Sequence, residues 1–339
     1  MSDIGTDYSP GWGGAAHTFV NARKAYDASA GRSYDDAKAA GKTLVDLLPK
    51  SIKTEARHVV LFLTDETGSM GEWPGVVFAK MPYLDHEAKT EYLGKDTEFC
   101  FAAVGDAHNN EDYPLQVRPF AKSEGTKKAI GELVIEGKGG GQYRETYEIG
   151  ALYLARKVEM PNATNPILII IGDEAPYARV TKSDAKRYAH VNLESDISTK
   201  EIFEELKRKY AVYLIKKPYE TMGDDDRMTA RDQAIYDEWA ALLGEDHIAI
   251  LSDPNRVVDD IFGILAKEAA RIPYFENELK GRQTKAQVKT VLKSLKTILN
   301  LPKGKTPLAI ADGRSVMHRT KKSGRTVVDT DGDETEPLV

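Results

Sequence analysis

Cysteine is almost absent. The single Cys100 in 339 residues excludes an intramolecular disulfide and any multi-cysteine metal site. Its place inside the apolar run 99–104 reads as a buried structural thiol. Long apolar stretches are also missing, and none approaches the about 20 residues needed to cross a bilayer. The opening Met-Ser-Asp-Ile-Gly-Thr-Asp lacks the basic-then-apolar order of a secretory leader. A cytoplasmic location without membrane contact is therefore the expectation. An excess of basic charge is lacking too: 47 Lys and Arg stand against 53 Asp and Glu, for a net charge of −6, so no nucleic-acid partner is expected. With 41% hydrophobic and 29% charged residues, what remains is the make-up of a globular chain able to bury a sizeable core.

What the chain does have is short buried strands alternating with helices. Residues 59–63 and 167–171 are unbroken apolar runs of the kind buried on both faces of a parallel sheet. Further strands are expected at 99–104, 115–120, 211–215 and 247–251. The short connection 105–114 suits a hairpin, which places the 115–120 strand antiparallel at an edge. Helices are expected over 74–94 (split by Pro82), 126–134, 145–158, after Ser198 with Ile202, Phe203 and Leu206 on one face, over 228–243, after Asp253-Pro254 and over 283–300. Ser198 and Glu201 form a capping box for the fourth of these. The reading is α/β: a three-layer αβα, doubly wound, mostly parallel sheet with one antiparallel edge strand and flanking helices. Residues 1–55 form an N-terminal helical extension, 56–270 the main domain, 271–302 a C-terminal helical extension, and 303–339 a disordered acidic tail. Gly41-Lys42-Thr43 is no phosphate loop, because Asp36 stands where its first glycine belongs and no strand precedes it. The tail is no calcium loop either, since its glycine falls at the fourth position and not the sixth.

The stretch 58–70 organises the rest. Directly after the first buried strand come Asp65, Thr67 and Ser69, spaced two apart, with Gly68 between the hydroxyls. Three oxygen-bearing side chains on a tight loop suit a hard divalent cation, Mg²⁺ or Mn²⁺. The carboxyl end of a parallel sheet is also where open α/β folds bind their ligands.

With Asp65-x-Thr67-x-Ser69, the 139–141 glycine cluster and Asp173 after the 167–171 strand, residues 56–270 resemble a von Willebrand factor A domain with a metal-ion-dependent adhesion site. The resemblance implies direct metal binding by Thr67 and Ser69 and binding through water by Asp65 and Asp173. For the second loop it leaves two choices. Counting back from Ala151-Leu152 gives Thr146, as in many members of the family. Counting forward from Gly139-Gly140-Gly141 gives Glu145, as in the subgroup found with alpha kinases, which Gly105-Asp106-Ala107-His108 and Gly172-Asp173-Glu174 also resemble. The metal-bound face, with Gly140, Gly141, Gln142 and Glu174, is expected to meet a protein partner that supplies an Asp or Glu carboxylate. The implied function is a non-catalytic adaptor or assembly module working with an AAA+ ATPase or a multi-subunit complex. Self-association is a further option, with the acidic tail (Asp329, Asp331, Asp333, Glu334) reaching a neighbour's metal.

The rival is an enzyme. Asp65-Glu-Thr-Gly-Ser is also similar to the phosphorylation loop of haloacid-dehalogenase-type phosphatases, in which Asp65 would be the nucleophile and Mg²⁺ the cofactor. Glu66 stands where a pump-like loop has lysine, and Tyr177 stands where a second aspartate belongs. A third option is a metal-free A-domain scaffold, with Asp65 and Asp173 acting as turn caps. His108 reads as a solvated loop residue, Trp73 and Trp239 as core, and 223–227 as a solvated charged loop.

Overall fold

The computed structural model describes residues 34–300 apart from 110, 138–142 and 221–226. The acidic tail, the glycine cluster and most of the charged 223–227 run lie outside the described residues. Among the described residues the main sheet has six strands: β1 (His58–Asp65), β2 (Thr97–Val104), β3 (Leu115–Val117), β4 (Ile167–Gly172), β5 (Ala211–Lys216) and β6 (Ile248–Ile250). Their spatial order is β6-β5-β4-β1-β2-β3, and every pair is parallel except β2 with the edge strand β3. The long helices are α1 (Trp73–Lys80), α2 (Glu124–Gly131), α3 (Tyr147–Arg156), α4 (Lys182–Tyr188), α5 (Thr199–Lys209), α6 (Ala230–Leu243), α7 (Val257–Glu268), α8 (Ile272–Arg282) and α9 (Lys285–Ser294).

Strand side chains alternate between two faces, and both are apolar. Val60, Phe62, Ile169, Ile171 and Ile215 pack under α1, α7, α8 and α9. Leu61, Leu63, Leu168, Ile170 and Leu214 pack under α3, α4, α5 and α6. Helices thus cover the sheet on both sides, which explains why its central strands carry no polar alternation. Cys100 is fully buried in the second of these clusters and donates to the Arg118 carbonyl at 3.3 Å. Trp73 and Trp239 are core residues.

Local signals act where the residues place them. Ser198 accepts from the Glu201 N–H at 3.2 Å, and the Glu201 carboxylate returns the contact to the Ser198 N–H at 3.0 Å. The region after α1 breaks at Pro82 into a 3-10 turn, Met81–Tyr83, a short helix and a wide turn, Ala88–Tyr92. Thr43 starts the short helix Leu44–Leu47, its N–H and hydroxyl held by Asp46 at 2.7 and 3.0 Å.

The C-terminal part differs from expectation. The single helix expected over 283–300 is two pieces, α9 and the turn Lys296–Leu299, interrupted at Leu295. The preceding α8 carries so many charges that its apolar positions, Phe275 and Leu279, show little periodicity. Both are nonetheless buried with Phe262 and Leu265 of α7, so 271–300 shares one core with the main sheet.

Candidate metal centre

The chain leaves β1 towards β2 on one side and leaves β4 towards β5 on the other, so a crevice opens where these two central strands end. Asp65 is the last residue of β1, and Asp173 follows β4. Asp65 Oδ1 accepts from the Thr67 N–H at 2.8 Å and from the Thr67 hydroxyl at 2.6 Å. Ser69 Oγ donates to Asp173 Oδ1 at 3.1 Å. Thr67 Oγ1 and Ser69 Oγ lie 3.2 Å apart. Each hydroxyl has one proton. With those protons directed at the two carboxylates, the hydroxyl oxygens face each other with lone pairs alone. Two converging oxygens without a donor between them are an arrangement that a cation completes.

The second loop brings one of its two possible ligands to this point. Glu145 is 2% exposed, and its Oε2 has no hydrogen-bond partner. Burial, reinforced by the charges of Asp65, Glu174 and Asp106, pushes its carboxyl up to about 12. Thr146 turns elsewhere: its hydroxyl donates to the Gly105 carbonyl at 2.7 Å and accepts from the Ala107 N–H at 3.3 Å. The oxygens of Asp65, Thr67, Ser69 and Asp173, with an orphaned buried carboxylate oxygen near enough to Asp65 to feel its charge, are a donor set that fits Mg²⁺ or Mn²⁺. Burial, and then the charge of Asp173, raises Asp65 to about 7, against the lowering effect of the Thr67 and Tyr147 hydrogen bonds. Glu174 is raised to about 8 by burial and by the charges of Asp173 and Asp65. It is 4% exposed, so little of it faces a partner. Gly140, Gly141 and Gln142 lie outside the described residues.

Two contributors escape motif reading. Tyr147, the first residue of α3, donates its hydroxyl to Asp65 Oδ2. Lys217, the residue after β5, puts its ammonium 2.8 Å from Asp173 Oδ2 and 3.0 Å from the Ser69 carbonyl. The rule that places Asp173 at a strand end applies equally to Lys217 and would have found it. Asp106, after β2, is fully buried and accepts from the Tyr177 hydroxyl at 3.1 Å. His108 is exposed and meets the Tyr177 ring edge-on at 4.7 Å.

A second acidic group lies beside the first. One oxygen each from Glu66, Glu111 and Glu136 fall within 4.8 Å of one another. Glu66 accepts from the Gln116 amide at 3.3 Å and from the Glu136 N–H. Glu111 accepts from the Asp106 N–H at 2.6 Å, and Glu136 from the N–H groups of Asp112 and Tyr113 at 2.9 and 3.0 Å. Burial, with neighbouring carboxylate charge, pushes Glu66 well above the ordinary range and Glu111 to about 8.

No family model and no curated protein matches the chain. Among solved structures it is similar to the pilus adhesin SpaC from Lactobacillus rhamnosus GG, with a TM-score of 0.43 and 14% identity. That likeness covers 67% of this chain and 32% of the adhesin. No helix among the described residues is long and apolar enough to cross a membrane.

Proposed function

We propose that the protein is a non-catalytic, divalent-metal-dependent protein-binding module: a three-layer, doubly wound von Willebrand factor A fold with a metal-ion-dependent adhesion site. The observation that carries this reading is the convergence of Asp65, Thr67, Ser69 and Asp173 at the β1–β4 crevice, with two hydroxyl oxygens facing each other at 3.2 Å. Thr67, Ser69, Asp65, Asp173 and Glu145 would hold Mg²⁺ or Mn²⁺. The bound metal supplies a Lewis-acid position that a partner's Asp or Glu can complete. Ser69 is the half-buried member of an otherwise buried set, so a partner would approach over it. The partner is a protein, either an AAA+ ATPase or a subunit of a larger assembly, in a cytoplasmic setting without nucleic acid or membrane.

The phosphatase reading has less support. Both oxygens of Asp65 are held by Thr67 and Tyr147, and the residue in place of the second aspartate, Tyr177, has its hydroxyl on Asp106. Self-association through the acidic tail stays a subsidiary proposal. If removal of 326–339 leaves the oligomeric state the same in Mg²⁺ and in chelator, that idea fails.

Thermal melts with Mg²⁺ or Mn²⁺ against chelator, on wild type and Ser69→Ala, test the main reading. Metal at about 100 times its dissociation constant adds about 2.7 kcal/mol of apparent stability to the wild type. Ser69→Ala is expected to lose most of that gain. Equal gains in both proteins would place the metal away from Ser69 and overturn the adhesion-site reading.

A further inference from the structure

Among the described residues, Lys217 brings a positive charge into contact with the metal centre, and it belongs to none of the motif positions. Its placement is built in several steps. The Lys217 N–H donates to the Gly172 carbonyl at 2.9 Å, which seats the residue beside Asp173. Its neighbour Lys216 faces the other way and is buried against Asp232 at 2.5 Å. Asp232 also accepts from the N–H groups of Tyr219 and Glu220 at 2.8 and 3.0 Å, which pins the chain that follows. The lysine side chain, 15% exposed, therefore leaves a braced segment. Its ammonium touches two groups of the metal centre at once: Asp173 Oδ2 at 2.8 Å and the Ser69 carbonyl at 3.0 Å. The Tyr219 ring centroid lies 6.0 Å from the ammonium, and Glu174 is near enough for the lysine's charge to act on it.

We infer that Lys217 is a resident cation of the metal centre, with which a divalent ion must compete for Asp173, so that the chain itself holds its metal affinity down. The inference rests on the proposed adhesion site and concerns how that site is loaded. The physical basis is simple. Asp173 Oδ1 is engaged by Ser69 and Oδ2 by Lys217, so both oxygens of the carboxylate are in use. A divalent ion held near Asp173 sits within a few ångströms of a fixed positive charge, and the repulsion is large where water is mostly excluded. Loading then requires either movement of the lysine or added negative charge at the site. A partner's carboxylate supplies that charge, so metal and partner should favour each other's binding, as linkage demands.

Calorimetric titration of Mn²⁺ into the full chain, for wild type, Lys217→Met and Lys217→Arg, tests this. Lys217→Met should bind Mn²⁺ at least about tenfold more tightly than wild type, because it removes a repulsive charge and keeps most of the side chain's bulk. Lys217→Arg, which keeps the charge, should stay near wild type. Lys217→Gln serves as a second neutral variant, and thermal melts in chelator establish that each variant is folded. Metal binding by Lys217→Met but not by wild type would support the inference in its strongest form. Equal or weaker binding by both folded neutral variants, with wild type still binding, would overturn the inference and leave the adhesion site standing. No binding by any folded protein would overturn both.

Discussion

Asp65 and Glu66 are adjacent in the chain and fully buried, yet they enter different carboxylate groups. Asp65 joins Asp173 and Glu145 beside two hydroxyls and an ammonium. Glu66 joins Glu111 and Glu136 among backbone N–H groups and one amide. The second group takes hydrogen bonds from neutral donors, with Glu111 Oε1 left without one, and burial raises Glu66 and Glu111 above the ordinary range; carboxylates so close cannot all ionise. The first group has donors too, but they are hydroxyls whose own lone pairs are left facing one another. Burial and negative charge are common to both. What sets the first group apart is the 3.2 Å approach of two hydroxyl oxygens and the Lys217 ammonium on Asp173.

The comparison can be broken most severely at Asp65. Asp65→Ala removes the acceptor for the Thr67 N–H, the Thr67 hydroxyl and the Tyr147 hydroxyl. Urea unfolding in chelator should show a loss of about 3–4 kcal/mol, and metal should restore none of it. If Asp65→Ala keeps the metal-induced gain, the cation resides with Glu66, Glu111 and Glu136 instead.

A pH series sharpens the contrast. Asp65, Glu111 and Glu174 have folded-state values of about 7, 8 and 8, above the ordinary carboxylate range. The folded chain therefore holds more protons than the unfolded chain between roughly pH 4 and 8. Stability of the metal-free protein should fall as pH rises through that window, and the carboxyl of Glu145, raised to about 12, extends the fall above it. Glu111→Gln should flatten part of this slope, gaining on the order of 1–3 kcal/mol relative to wild type at pH 9. A slope unchanged by Glu111→Gln would mean that Glu111 ionises without penalty.

The smallest effect separates Glu145 from Thr146. Thr146→Val should cost about 1 kcal/mol through lost contacts to Gly105 and Ala107 and leave the metal response intact. Glu145→Gln should reduce that response. The reverse pattern would assign the ligand to Thr146.

Much of this architecture is legible in the residues because it rests on local rules. The apolar runs at 59–63 and 167–171, the Asp65-x-Thr67-x-Ser69 spacing and the Ser198–Glu201 box each act within a few residues. The edge strand β3 follows from a connection too short for a parallel return. Long-range geometry is harder to read. No spacing shows that Glu145 turns inward while Thr146 reaches for Gly105, since both sit at the entry to α3. Glu66, Glu111 and Glu136 are 45 and 25 residues apart in successive steps and meet only because β1, the loop after β2 and the chain after α2 end side by side. The helix α8 hides because its buried face holds few apolar side chains among many charges.

Gly172 closes β4 immediately before Asp173, and a Cβ placed there would lie 2.0 Å from the Tyr147 hydroxyl oxygen and 2.7 Å from its ring carbon. The tyrosine that braces Asp65 thus fills the room where residue 172 would have had a side chain. Any side chain at 172 would have to push the Tyr147 hydroxyl aside, and with it the contact to Asp65, so a silent-looking strand end is tied to a carboxylate 107 residues away in the sequence.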